Sequence, residues 1–141
     1  MADKISVVLD TNILISSFFG GNPARIIELF LSEDINLYYS TEIFHEYRDV
    51  LFREKFSQIS ESKRRIILEA IFELGILVIP NQKVTIITED PADNKFLECA
   101  DYAKVDFLVT GNTHHFNFST FNNVRIVNPN VFLEEWEKEG S

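Results

Sequence analysis

The sequence VVLDTNILISS at residues 7–17 joins a short apolar strand to an acidic residue and the start of a helix. The run at residues 5–9 is apolar and rich in β-branched side chains, which predicts a buried strand that ends at Asp10. Asp10 can cap the helix that follows or serve a site at the end of the strand, and the residue alone does not distinguish the two roles.

Strand and helix patterns alternate along the rest of the chain. We expect helices over residues 11–17 and 24–31, from residue 40 or 41 to about residue 53, from residue 60 or 62 to residue 74, from residue 90 to about residue 104, and from residues 128–130 to residue 138. Strands are expected over residues 37–39, 76–79, 106–110 and 124–127, with a break at residues 20–23. This alternation predicts an α/β fold, a single domain over residues 1–141 built as a three-layer α/β/α sandwich with a central, mostly parallel sheet. In such sheets, ligand sites lie past the carboxyl ends of the strands.

The chain is acidic, with a formal net charge of −9, and 45% of its residues are hydrophobic. This charge opposes the binding of nucleic acid through phosphate neutralisation alone, so that role needs bound cations or a local basic patch. Five of the 13 Lys and Arg residues form one cluster in the sequence: Arg53, Lys55, Lys63, Arg64 and Arg65. The cluster could contact an RNA backbone, or it could be a solvated turn between two helices.

The single cysteine, Cys99, excludes an internal disulfide and fits a reducing compartment. The apolar run near the N-terminus is too short for a signal peptide, and no segment approaches the roughly 20 apolar residues that span a bilayer. We therefore expect a cytoplasmic protein with no membrane partner.

Two further acids lie on predicted helices. Glu46 falls at the border of the apolar stripe of its helix, where it is either a solvated flanking residue or part of a site. Asp93 precedes the apolar Phe96 and Leu97 by three and four residues, which places it on the inward face of its helix. A carboxylate there needs a partner or a cation, although an acid in the first turn also stabilises a helix.

The three acids Asp10, Glu46 and Asp93 together predict a cation site at the carboxyl edge of the sheet. Asn112 follows another strand end, so its amide oxygen can join the three carboxylates, unless it only forms a Gly-Asn turn. Oxygen ligands of this type favour Mg²⁺ or Mn²⁺, which bind substrate phosphate and activate water. Zinc is not indicated, because the sequence has no Cys/His cluster and its three histidines are His45, His114 and His115.

Two other folds with acids at strand ends do not fit this sequence. A phosphoacceptor receiver domain has paired acids after its first strand and a lysine after its last, whereas here Asp10 stands alone and Arg125 lies inside the last strand. A haloacid-dehalogenase-type phosphatase needs Asp-x-Asp at the first strand end, and the sequence reads Asp-Thr-Asn at residues 10–12. Neither alternative accounts for the acids.

Four segments resemble the motifs of PIN domains, in the order and spacing of that family. They are VVLDTNILISS at 7–17, STEIFHEYRDVL at 40–51, DPADNKFLECADYAKVDFLVTGNTHHF at 90–116 and VRIVNPNVFL at 124–133. No single motif is decisive, but together they cover nearly the whole chain. The resemblance implies an α/β/α sandwich around a parallel sheet and metal-dependent cleavage of phosphodiester bonds, most often in RNA.

The resemblance makes Asp10, Glu46 and Asp93 the catalytic and metal-binding acids, with Mg²⁺ or Mn²⁺ as the cofactor. PIN domains often have a fourth acid where this chain has Asn112, so a second metal would bind less well and activity could be weak or absent. Hydrogen bonds that support the site could come from Asn12 and Thr110. The candidate contacts to RNA are Arg53, Lys55, His114 and His115, although the two histidines could equally be loop residues without a role.

The resemblance also implies partners. Family members with this pattern are commonly toxins of toxin–antitoxin pairs, so we expect an antitoxin whose apolar segment covers one face and whose basic residue reaches the carboxylates. We also expect a homodimer. A PIN-like module that binds RNA or a protein without cleaving anything is the alternative; the absent fourth acid favours it, and the three retained acids oppose it.

Overall fold

A computed structural model of the chain describes residues 4–81, 93–111 and 119–140. Its helices are α1 (Thr11–Ser17), α2 (Gly21–Leu31), α3 (Thr41–Leu51), α4 (Glu61–Leu74), α5 (Asn94–Ala103) and α6 (Pro129–Gly140), with a 3-10 turn at Glu54–Phe56. Its strands are β1 (Ser6–Leu9), β2 (Asn36–Tyr39), β3 (Ile76–Leu77), β4 (Phe107–Val109), β5 (Thr120–Phe121) and β6 (Val124–Val127).

The strands form one sheet in the order β3-β2-β1-β4-β6-β5. All neighbouring strands are parallel except β5 and β6, which are antiparallel. Helices cover both sides of the sheet, so the predicted three-layer α/β/α sandwich with a mostly parallel sheet is confirmed. The helices of the described ranges include none that is long and apolar enough to cross a membrane.

The apolar runs become strands at the centre of the sheet because helices bury both of their faces. Val7, Val8 and Leu9 of β1 have no exposed surface, and all three residues of β4 are buried as well. The pairing of Leu9 with Val109 brings the carboxyl ends of these two strands side by side. The residues that follow each strand therefore meet at one edge of the sheet.

Several element boundaries differ from the sequence-based prediction. Helix α2 begins at Gly21, not at residue 24, because Gly20 and Gly21 complete the turn with φ angles of +89° and +73°. Pro23 then lies in the first helical turn, where its missing N–H breaks no helical hydrogen bond. The strand predicted at residues 76–79 is limited to Ile76–Leu77.

Strand β5 was missed because it has only two residues. It joins β6 through Asn122 and Asn123, whose φ angles of 47° and 75° belong to the left-handed region that tight hairpin turns require. Helix α5 runs from Asn94 to Ala103, and Lys104, where the helix was predicted to end, follows it in left-handed geometry. The proposed start of this helix at Asp90 and Pro91 lies outside the described residues.

Candidate active site at the carboxyl edge

Asp10 lies at the junction of β1 and β4. Its backbone amide continues the sheet by donating to the carbonyl of Val109 at 3.0 Å, and its side chain is buried. The Thr110 hydroxyl donates to Oδ2 of Asp10 at 2.7 Å, and the backbone amide of Asn12 donates to Oδ1 at 3.4 Å. Asp10 therefore caps α1 and also lies in the cluster at the strand ends, so the two roles considered for it are compatible.

Burial raises the pKa of Asp10 above its ordinary value, because an apolar surrounding disfavours the charged form. Hydrogen bonds from Thr110 and from the backbone of Asn12 act in the opposite direction. The carboxylate of Glu46 raises the same pKa further by repulsion. The two acids are therefore electrostatically coupled, and a cation beside them would stabilise both in the charged form.

Helix α3 carries Glu46 to this edge. The Ser40 hydroxyl caps the helix by accepting a hydrogen bond from the amide of Ile43 at 3.2 Å. The next residue after Glu46 is the fully buried Tyr47, whose hydroxyl donates to the backbone carbonyl of Leu9, immediately before Asp10. This contact fixes α3 against the end of β1, and it leaves the Glu46 side chain 25% exposed at the mouth of the site.

Two residues that sequence reasoning did not single out contact Glu46. The Thr11 hydroxyl donates to Oε2, and the Lys95 ammonium lies 2.7 Å from Oε1. Only 18% of the Lys95 side chain is exposed, so this ion pair is largely shielded from solvent. The available sequence signal was the position of Lys95 on α5, one turn before the buried Cys99.

The other two predicted ligands are Asp93 and Asn112. Asp93 is partly buried and immediately precedes α5, whereas the sequence placed it as the third helical residue. Asn112, His114 and His115 lie outside the described residues. Within residues 4–81, 93–111 and 119–140, no three His, Cys, Asp or Glu side chains form a group arranged to hold a metal ion. The three-acid centre therefore stays a prediction.

The donor atoms at this edge nevertheless suit a hard divalent cation. Asp10 and Glu46 supply carboxylate oxygens, and the threonines beside them supply hydroxyl oxygens. The Lys95 ammonium already places one positive charge against Glu46. Glu46 is thus already in contact with a positively charged group.

The predicted basic cluster is mostly occupied by contacts within the protein. Arg53 pairs with Asp49 at 3.2 Å, and Arg65 pairs with Glu61 at 2.9 Å. Arg53 lies beyond the end of α3 and immediately precedes the 3-10 turn at Glu54–Phe56. Its role in RNA binding, like that of Lys55, stays a prediction.

The burial of Arg64 contradicts both interpretations of that cluster for this residue. It is buried, its Nη1 donates to the carbonyl of Leu51 at 3.0 Å, and its guanidinium lies 4.8 Å from the ring centroid of Phe52. Arg64 is thus neither an RNA-contacting residue nor part of a solvated turn. It ties α4 to the end of α3 because the last carbonyls of a helix need donors.

A cavity of about 190 Å³ lies at the start of α3 and beyond the ends of β2 and β3. Glu42, one turn before Glu46, lines it together with Glu98, one turn after Lys95. The other lining residues are Ser40, Thr41, Val78, Ile79, Pro80 and Asn81. The cavity is therefore bordered by one carboxylate from α3 and one from α5.

Comparisons with known proteins agree with this architecture. A family model described as a PIN domain matches residues 6–114. An uncharacterized protein of Methanocaldococcus jannaschii is 30% identical over an alignment of 147 residues that covers 96% of this chain and 94% of that protein. The crystal structure of VapBC2 from Rickettsia felis, bound to a DNA fragment from their promoter, is similar in fold, with a TM-score of 0.57 and 17% identity over 88% of this chain and 98% of that chain.

Proposed function

The chain belongs to the PIN-domain family, and from this premise we propose that it is a Mg²⁺- or Mn²⁺-dependent endoribonuclease. PIN domains are generally nucleases. The observation that carries the proposal is the pairing of Asp10 and Glu46 at the carboxyl edge of the parallel sheet, where each carboxylate is held by a threonine hydroxyl. We further propose that the protein is the toxin of a type II toxin–antitoxin pair.

Asp10 and Glu46 would hold the cation, and Asp93 and the amide oxygen of Asn112 would be further ligands. A bound divalent cation supplies charge neutralisation at the scissile phosphate and activates a water molecule. Thr110 keeps the buried Asp10 carboxylate oriented and favours its charged form. Cleavage would therefore depend on how firmly the hydrogen bonds from Thr11 and Thr110 orient the two carboxylates.

RNA cleavage by matched variants tests this proposal. Labelled single-stranded RNA is incubated with purified protein in Mg²⁺, in Mn²⁺ and in EDTA. We expect cleavage only with metal, and we expect it to fall to the EDTA level in Asp10→Asn, Glu46→Gln and Asp93→Asn. Asp49→Asn on α3 is the control, because it removes an acid from the same helix at an exposed position. Cleavage that persists in the three site variants would reject this site.

A module that binds without cleaving is the second candidate. The observations that favour it are Asn112 at the position of the fourth acid and the Lys95 ammonium against Glu46, since both weaken metal binding. Folded protein that binds RNA but cleaves none with either metal would favour this candidate over the nuclease.

The antitoxin proposal is supported by the similar structure, a VapBC2 complex bound to promoter DNA. Two negative charges at a partly open edge would attract a basic side chain of such a partner, which would compete with the metal and the RNA. Co-expression with the product of the adjacent gene, followed by structure determination, tests this expectation. A complex that leaves Asp10, Glu46 and Asp93 fully open would contradict it.

A homodimer is proposed from the surface between α3 and α4. A groove of about 360 Å³ there is lined by Phe44, Phe52, Leu68 and Phe72 and flanked by two arginines and two glutamates. Phe72 is 69% exposed, which is a large apolar surface to leave in water. Light scattering should give a dimer for the native chain and a monomer for Phe72→Asp; a native monomer at high concentration would reject the dimer.

A further inference from the structure

The Lys95 ammonium is the cation that the structure places against the acid pair. Its Nζ lies 2.7 Å from Oε1 of Glu46, while Oε2 of the same carboxylate accepts from Thr11. Nζ also lies 5.5 Å from the centroid of the Phe96 ring, whose face attracts positive charge. Both partners of the ion pair are largely shielded, with side-chain exposures of 18% and 25%, so solvent screens this contact less than an exposed pair.

A divalent cation and this ammonium compete for the Glu46 carboxylate. The carboxylate can accept more than one contact, because each of its oxygens has two lone pairs. Two positive charges beside one carboxylate nevertheless repel each other in a partly buried setting. A metal that binds Glu46 therefore weakens the contact between the carboxylate and the ammonium and favours release of the ammonium.

An RNA substrate needs a cation near the place where its backbone is cut. The chain carries a net charge of −9, and Arg53, Arg64 and Arg65 of the basic cluster are engaged within the protein. Lys95, in contrast, lies at the acid edge itself. A lysine is a compact charge on a flexible four-carbon stem, which lets it bind phosphate without a fixed geometry.

We propose that Lys95 serves two partners in turn at this edge. In the metal-free protein it is the counter-cation of Glu46. When a divalent cation takes Glu46, the displaced ammonium binds a phosphate of the RNA. The inference rests on the proposed function for its metal and its RNA, and it adds a substrate-contacting residue to the site.

Metal binding without RNA tests the first half of the proposal. Mn²⁺ titrations by calorimetry compare the native chain with Lys95→Met, Lys95→Arg and Lys138→Met, the last of which removes an exposed lysine from α6. Lys95→Met should bind Mn²⁺ about tenfold more tightly, because the competing charge is gone. Lys95→Arg should stay within about threefold of the native chain, since it keeps the charge, and Lys138→Met should not change.

RNA binding tests the second half. In an Asp93→Asn background that suppresses cleavage, the affinity for a short single-stranded RNA is measured with Mn²⁺ at several salt concentrations. Lys95→Met should bind RNA more weakly and should reduce the slope of log affinity against log salt by about 0.7, the value for one lost phosphate contact. Tighter metal binding with weaker RNA binding is a pair of changes that a misfolded variant would not give.

The outcomes separate this inference from the proposed function. Equal Mn²⁺ affinity in the native chain and Lys95→Met, or an unchanged salt slope, overturns the inference and leaves the nuclease proposal intact. Failure of both proteins to bind Mn²⁺ removes the metal site of the proposed function, and the inference with it. Opposite changes in metal and RNA affinity support the role of Lys95 even in a chain that cleaves no RNA.

Discussion

Thr110 donates its hydroxyl proton to Oδ2 of Asp10 at 2.7 Å, and this bond joins the residues that follow two neighbouring parallel strands. Both side chains are buried, Thr110 completely. A buried carboxylate needs such donors because it has lost its hydration. The bond thus opposes the effect of burial on the pKa of Asp10 and keeps the carboxylate available to a cation.

Replacing Thr110 by valine should destabilise the protein at neutral pH. The side chain keeps its shape but loses the hydroxyl, so the charged Asp10 loses a donor; a hydrogen bond to a charged group contributes about 1.5–3 kcal/mol. Urea unfolding at pH 7 measures the loss. Thr110→Ser keeps the hydroxyl and should cost less than Thr110→Val, and an equal cost for both variants would show that the hydroxyl is not responsible.

Removing the charge of Asp10 should stabilise the metal-free protein at neutral pH. Burial raises the pKa of Asp10 in the folded state above its ordinary value of 3.8, so between these two values the native protein keeps a proton that the unfolded chain has released. Stability therefore falls as pH rises from 3.8 to the folded pKa, and the loss persists above it. Asp10→Asn removes this loss of stability. Its higher free energy of unfolding, compared with the native chain, should therefore disappear below pH 3.8.

Thermal unfolding with and without Mn²⁺ completes the comparison. The native chain should be stabilised by the metal because only the folded state presents the site. Asp10→Asn should gain much less, so that Mn²⁺ reverses the order of the two melting temperatures. If Mn²⁺ raised the melting temperature of Asp10→Asn as much as that of the native chain, the metal would bind elsewhere.

The central strands and the position of Asp10 could be predicted from sequence because both follow from local patterns. Strands β1 and β4 are buried on both faces, so their apolar runs stand out, and an acid directly after a parallel strand must lie at the carboxyl edge. Glu46 followed from the period of its helix and from family resemblance. Its coupling to Asp10 agrees with the predicted convergence of these two acids.

The contact between Lys95 and Glu46 could not be predicted in this way. It depends on how α3 and α5 pack side by side, which residues 49 positions apart do not reveal through any local period. Arg64 was missed for a related reason: a charged residue is normally exposed, and only the position of the Leu51 carbonyl explains its burial. Strand β5 is too short to give a period at all.

Arg64 and Arg65 should differ sharply in their effect on stability. Arg64→Ala removes a buried side chain that packs on Phe52 and satisfies the Leu51 carbonyl, and it should cost about 2–3 kcal/mol. Arg65→Ala breaks only an exposed pair with Glu61 and should cost at most about 0.5 kcal/mol. Urea unfolding of the two variants measures both values, and similar costs would contradict the structural role of Arg64.

Cys99 should resist thiol reagents in the native protein. It has no exposed surface, and burial raises the pKa of its thiol from the ordinary value of 9.0 to about 12, so the reactive thiolate is scarce at neutral pH. Because the sequence has one cysteine, the extent of labelling by iodoacetamide reports on this residue alone. Labelling should be complete in urea and very slow without it.

The rate of Cys99 labelling also tests metal binding at Asp10 without RNA. Burial raises the pKa of the Tyr47 hydroxyl, and the neighbouring Cys99 raises it further; Tyr47 in turn anchors α3 beside Asp10. If labelling requires opening of the fold, Mn²⁺ should slow it further in the native chain, since binding lowers the population of open states. Asp10→Asn should show no such slowing. Fast labelling of the native protein at neutral pH, with or without metal, would contradict the burial of Cys99.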